Sequence, residues 1–209
     1  MKLLLAGATG LVGGHTLQLA LRDPRISQAI APTRRPLAAH PKLTAPVVDF
    51  DALPPDTDWW HADAMICALG TTMRIAGSRD AFRRVDLDYP LAIARLAHAQ
   101  GTPACVLNSA MGADAASRIF YNRTKGELEQ ALAGIGFDSL TFARPGFISG
   151  KRSEFRRGER AMILALQAVA PILPKRLRIN PAGNVARAML EAAVAALPGT
   201  HVIGSEALA

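Results

Sequence analysis

The chain begins "MKLLLAGATGLVGGHT", residues 1–16, where an apolar run meets a helical one across spaced glycines. "KLLLAG" is an apolar run of strand length, "LVGGHTLQLALRD" has helical spacing, and Gly7, Gly10 and Gly13 stand three apart where the two meet. A strand that runs into a helix through glycines makes a βα turn. There the backbone bends tightly and a phosphate group can approach the helix N-terminus, provided no side chain is in the way. Gly7 and Gly10 meet that need, and Gly13 lets the helix lie close to the strand. The spacing is GxxGxxG, not the commoner GxGxxG, and small residues also serve helix packing. The strand before and the helix after favour the phosphate cradle.

Outward from this turn, strand-length apolar runs alternate with helical segments. "ISQAIAPT" and "APVVDF" read as the second and third strands and "DAMICALG" as the fourth. A helix is expected from about Asp80 to a glycine stop at Gly101, with Leu87, Leu91, Ala94 and Ala97 on one stripe. "PACVLNS", the helix "FYNRTKGELEQALAGIG" and the strand "SLTFARPG" follow. Parallel strands need crossover helices, so the rhythm predicts an α/β fold, a Rossmann-like doubly wound parallel sheet with helices on both faces. After Gly150 the rhythm lapses. The charge-dense "KRSEFRRGER", the apolar "AMILALQAVAPILP" and a last helix in "PAGNVARAMLEAAVAALPG" leading into "THVIG" predict a small cap. The expectation is one domain, 1–209, with 151–181 as a substrate-side cap or lid.

The 209 residues suit one well-buried domain. Apolar stretches are broken well before the roughly 18 residues that span a bilayer, and the N-terminus lacks a cleavage region, so the expectation is a cytoplasmic protein without membrane contact. Cys67 and Cys105 lie in apolar runs outside any metal-ligand spacing and read as reduced core residues, with no metal. The formal net charge of +7, carried mainly by arginine, favours anionic partners. No lysine-rich tail, zinc-finger spacing or aromatic-basic interleaving points to nucleic acid. A phosphate-bearing small molecule fits better.

An acidic residue about 20 positions after the glycine turn binds the free ribose hydroxyls of NAD. Here the second strand ends in "APTRRP", and Thr33, Arg34 and Arg35 stand where guanidinium groups can hold a 2′-phosphate. This favours NADP, with NADPH preferred over NADH. The remaining expected contacts are Thr9, Leu11 and Val12 in the first turn, Asp49 and Phe50 after the third strand, and Ala68, Leu69, Gly70 and Thr71 after the fourth. Asp49 reads equally well as a turn cap.

In "FYNRTKGE", Tyr121 and Lys125 are four apart on a helix and share a face. An ammonium close to a phenol favours the phenolate and suits it to proton transfer near neutrality. Ser109 ends the fifth strand, where its hydroxyl can hold the same substrate oxygen. Each feature alone is common, but their order after the glycine turn is not.

With these residues the sequence resembles the short-chain dehydrogenase/reductase family over most of its length. Gly7, Gly10 and Gly13 match its cofactor turn, and Ser109, Tyr121 and Lys125 its catalytic set. "RPGFISG" matches the segment beside the nicotinamide, which implies cofactor contacts for Pro145, Gly146 and Phe147. "CALGTTMRIAGS", "FRRVDLDYP" and "NSAMGAD" are similar to the compact, atypical branch that includes the Tat-interacting tumour suppressor and its bacterial relatives. One departure is Asp86, where many members place an asparagine that supports a proton relay. The resemblance implies an NADP-dependent oxidoreductase acting on a small carbonyl or alcohol, the substrate anionic if the basic loop is a lid, and a possible homodimer. The alternatives are an NADP(H)-sensing regulatory protein and an enzyme like the sugar-nucleotide epimerases.

Overall fold

A computed structural model describes residues 1–150 and 179–209. The cap or lid expected over 151–181, including Lys151, Arg152, Arg156, Arg157 and Arg160, lies outside the described residues except for its last three positions.

The first strand, β1 (Lys2–Ala6), leads through the glycine turn into α1 (Leu11–Arg22). β2 (Gln28–Ile30), β3 (Leu43–Thr44) and β4 (Ala64–Cys67) follow, then α2 (Met73–Ala76), α3 (Arg79–Arg83) and α4 (Tyr89–Ala99). After β5 (Ala104–Asn108), α5 (Phe120–Ala133) and β6 (Ser139–Arg144) come two short strands, β7 (Ile148–Ser149) and β8 (Asn180–Pro181), which pair with each other. α6 (Ala182–Ala195), β9 (Gly199–Gly204) and α7 (Ser205–Leu208) complete the described chain. The main sheet has the order β3-β2-β1-β4-β5-β6-β9 and is parallel throughout. That is the doubly wound order, in which ligands bind beyond the carboxyl ends of the strands.

Each face of the sheet is buried because successive side chains of a strand point to opposite sides. Leu3 and Leu5 of β1 pack with Val12, Ile66, Val106, Val185 and Met189 under α1 and α6. Leu4 and Ala6 pack with Met65, Leu107, Ile93, Leu128 and Trp60 under α4 and α5. Cys67 and Cys105 are free thiols buried in that second core.

Three expectations are corrected. The third strand is Leu43–Thr44 and not "APVVDF", from which only Val47 makes an isolated bridge, to Thr33. Pro46 has no N–H to give a ladder, although its carbonyl still accepts from Thr33 N at 3.0 Å. The helix expected from Asp80 to Gly101 is interrupted by a π-helical turn over Arg84–Asp88. Pro90 cannot donate to the carbonyl of Asp86 four residues back, and Tyr89 N–H reaches five residues back to Arg84 O instead. Finally, residues 182–204 continue the βα rhythm: α6 packs on the sheet beside α1, and β9 extends the sheet next to β6.

Candidate active site

Gly7 and Gly13 are fixed by the protein's own backbone. Gly7 has φ +91°, and a Cβ there would lie 2.6 Å from the carbonyl carbon of Ala68. A Cβ on Gly13 would lie 2.0 Å from Gly7 O. Gly10 differs: its nearest neighbour would be Gly7 O at 3.3 Å, and the residue is exposed. Gly10 is also the N-cap of α1, which has no capping side chain and no acidic residue in its first turn. Such a helix end, with open backbone donors and no competing carboxylate, suits a phosphate. The residues therefore fit a dinucleotide.

At the end of β2, Thr33 is buried and donates its hydroxyl to Arg35 O at 2.6 Å. Arg34 and Arg35 are exposed, and neither forms an ion pair among the described residues. Asp49 accepts from Asp51 N at 2.9 Å, the turn-capping geometry, while Phe50 is buried against Tyr89 with ring centroids 5.5 Å apart. Thr9 is exposed, Leu11 half-buried and Val12 in the core. Ala68 N donates to Ala6 O at 2.8 Å, and the loop from Ala68 through Leu69 and Gly70 ends with Thr71 N donating to Asp86 Oδ2 at 2.7 Å. Gly70 joins the two halves of the site, since a Cβ there would sit 3.3 Å from Asp86 Oδ1 and 3.8 Å from Lys125 Nζ.

On α5, Tyr121 is 38% exposed with its ring 5.8 Å from that of Phe82, whereas Lys125 is buried at 3%. Lys125 Nζ lies 2.8 Å from Asp86 Oδ1. The π-helical turn brings Asp86 to this point, inside the molecule at 1% exposure. Burial works against the Lys125 ammonium, but the charges of Asp86 and Tyr121 and the Asp86 hydrogen bond outweigh it and raise its pKa above the ordinary lysine value. The Cys67 thiol nearby is pushed up to about 11 by burial, with the Lys125 charge pulling the other way.

Ser109 lies just past β5, buried, and donates its hydroxyl to Glu129 Oε1 at 2.5 Å. Glu129 also accepts from Arg144 Nε at 3.0 Å and forms an ion pair with Arg144, whose pKa is raised by that contact. Pro145 O accepts from Met111 N at 2.8 Å, and Phe147 is exposed. Gly146 N donates to Asn180 Oδ1 at 2.6 Å, and Asn180 ties this loop to α7 through Ser205.

The structure thus places Tyr121 and Lys125 one turn apart on α5, connects Lys125 through Gly70 and Ala68 to the glycine turn, and sets Ser109 against Glu129, one turn beyond Lys125. Sequence reasoning missed Glu129, Arg144, Asn180 and Asn108. Glu129 had a signal, because it stands four residues after Lys125 on the helix face that also carries Tyr121. Asn108 ends β5 in alternation with Ala104 and Val106 of the α1-side core, and its amide oxygen is buried without a partner among the described residues. No group of three or more potential metal ligands occurs among the described residues, and no helix among them is long and apolar enough to cross a membrane.

No family model matches the chain. Solved structures share its architecture. The structure described as MoeE5 in complex with UDP-glucose and NAD superposes with TM-score 0.74 at 17% identity, covering 98% of this chain and 76% of that one. The enzyme WbmH of Bordetella bronchiseptica in complex with NAD+ gives 0.70 at 15%, covering 98% and 75%. UDP-glucose 4-epimerase of Thermotoga maritima gives 0.69 at 13%, covering 99% and 77%. The chain is therefore a Rossmann-like α/β protein with the fold of these enzymes.

Sequence relatives narrow the class. Protein fmp52, mitochondrial, of Aspergillus fumigatus is 36% identical over 221 aligned positions, which cover 98% of this chain and 92% of the relative. Protein FMP52, mitochondrial, of Candida albicans is 34% identical and covers 74% and 70%. The chain belongs to the Fmp52 family. Both relatives are named mitochondrial, which overturns the cytoplasmic expectation. That expectation rested on apolar runs too short to span a bilayer and on the reading of the first residues, and neither names a compartment.

Proposed function

We propose that the protein is an NADP-dependent oxidoreductase of the compact short-chain dehydrogenase/reductase type, acting on a small carbonyl or alcohol. The observation that carries this reading is the unbroken run of neighbours from the glycine turn to α5. Gly7 abuts Ala68, the loop that begins at Ala68 reaches Gly70, and Gly70 borders Lys125 one helical turn from Tyr121. A phosphate cradle and a proton-transfer pair joined by one loop are what hydride chemistry needs.

The α1 N-terminus would receive the pyrophosphate, Arg34 and Arg35 the 2′-phosphate, and Lys125 the nicotinamide ribose. Preference for NADP rests on the two exposed arginines and on the missing acid after β2; two of the solved structures named above are described with NAD. The bound cofactor supplies or accepts the hydride. In the reducing direction, Tyr121 gives its phenolic proton to the carbonyl oxygen as that oxygen gains the electron pair. Ser109 turns its hydroxyl from Glu129 to the same oxygen, and the Arg144 ion pair keeps Glu129 satisfied meanwhile.

One observation favours the sensor reading. Both supporting groups are engaged in the protein itself, Ser109 by Glu129 and Lys125 by Asp86, so the fold can bind a dinucleotide with little turnover. Incubation with NADPH and a broad panel of aldehydes and ketones, followed by nicotinamide absorbance, separates the two. Substrate-dependent NADPH loss supports the oxidoreductase. NADPH binding with no loss across the panel transfers the assignment to the sensor.

A further inference from the structure

The position taken by an asparagine in many short-chain dehydrogenases is here a carboxylate in direct contact with the lysine. We infer that Asp86 is a positioning residue that cancels the charge of Lys125 as felt by the Tyr121 phenol, so that this protein holds its proton-transfer pair in a damped state. The ground is geometric. Asp86 Oδ1 is 2.8 Å from Lys125 Nζ, both groups are almost wholly buried, and Asp86 Oδ2 is held by Thr71 N–H at 2.7 Å. The carboxylate is thus gripped from two elements and cannot swing away from the ammonium.

An ammonium one helical turn from a phenol stabilises the phenolate, and a carboxylate behind that ammonium opposes it. The two fields are of similar size when the charges are this close together, and at the phenol they largely subtract. An asparagine would keep only one of these two contacts, because its amide nitrogen donates and cannot accept, and it would leave the ammonium's field uncancelled.

The other ionisable groups around the pair are few. Cys67 at the end of β4 faces Lys125 as a neutral thiol, its pKa raised by burial. Arg79 of α3 and Arg123 of α5 lie over the Phe120 ring at 5.2 and 5.9 Å, and Glu127 of α5 pairs with Arg83 and Arg123. Of these only Cys67 also feels the Asp86 charge, which adds to the larger effect of burial. For its catalytic meaning the inference rests on Tyr121 being the proton donor, but its test needs neither substrate nor cofactor.

The chain has two tyrosines. Tyr89 donates to Asp51 at 2.8 Å, and its pKa is raised, chiefly by burial and then by that bond. Tyrosinate absorbance can therefore be followed against pH, with Tyr121→Phe identifying the Tyr121 component. Asp86→Asn should move the Tyr121 midpoint to lower pH by about half a unit or more, the effect of a unit charge at several ångströms in a half-wet site. Lys125→Met should move it to higher pH, and the double variant should return it to within roughly 0.3 unit of wild type by the same cancellation.

A merely structural role would disturb both single variants in the same direction, so the opposed signs are the diagnostic. A midpoint in Asp86→Asn equal to or above wild type overturns the inference. Should that variant not fold, as judged by near-ultraviolet circular dichroism, the neutral double variant is compared with Lys125→Met. A midpoint in Lys125→Met no higher than in the double variant then overturns it. The expected shifts without NADPH consumption by any carbonyl would sink the oxidoreductase and leave the inference standing; turnover without the shifts would do the reverse.

Discussion

Lys125 is the residue on which most of the site depends. Its ammonium is buried, salt-bridged to Asp86 and one turn from Tyr121, so two substitutions on α5 should give different results. Tyr121→Phe keeps the ring and deletes only the hydroxyl. It should retain the fold and NADPH binding while turnover falls by about 10²-fold or more, the contribution of a positioned general acid. Lys125→Ala should weaken NADPH binding as well as rate. It should also lower stability by about 3–5 kcal/mol, because it strands the Asp86 carboxylate in the interior. Steady-state kinetics with calorimetric titration and chemical denaturation check both. Near-normal turnover in Tyr121→Phe would remove it as the proton donor.

At the scale of elements, the glycine turn separates architecture from ligand contact. Gly13→Ala would drive a Cβ to 2.0 Å from Gly7 O and should cost about 3 kcal/mol or more, since backbone has to move. Gly10→Ala meets nothing nearer than 3.3 Å and should cost less than about 1 kcal/mol of stability. It should nonetheless weaken NADPH binding about tenfold or more, roughly 1.4 kcal/mol, by obstructing the α1 N-terminus. Denaturation and calorimetry of the two variants decide whether the turn carries a ligand. Loss of stability without loss of affinity in Gly10→Ala would return Gly10 to a packing role.

The strands and helices that carry strong periodicity were legible: β1, α1, β4, β5, α5 and β6 fall within the expected segments. What was not legible came from long-range or subtle backbone effects. β3 is two residues long and shifted because prolines crowd the segment. The π-helical turn follows from a single proline that any helix prediction reads as a minor defect, yet that turn delivers Asp86 to Lys125. Asn180 joins loops far apart in the chain and no local pattern marks it. β9 pairs with β6 some 60 positions earlier, from Ser139↔Gly199 onward, so only tertiary structure reveals it as part of the sheet.

For the whole molecule, the buried thiols report on the integrity of the doubly wound core. Burial raises Cys67 to about 11 and raises Cys105 well above its ordinary value. Only the thiolate reacts, so at pH 8 roughly one Cys67 in a thousand is reactive even before access is considered. Neither cysteine should be alkylated appreciably by iodoacetamide in the native protein, and both should react on denaturation, as mass spectrometry would show.

On the reading proposed above, the loops at the carboxyl ends of the strands hold NADP(H). The most direct test is calorimetric titration of NADPH and NADH into the wild-type protein and into the Arg34→Ala, Arg35→Ala double variant. NADPH should bind wild type about tenfold or more tightly than NADH, as charge-assisted contacts to a 2′-phosphate require, and the double variant should lose that preference while keeping its affinity for NADH. Equal affinities for the two nucleotides, or an NADPH affinity unchanged in the double variant, would contradict the assignment of NADP.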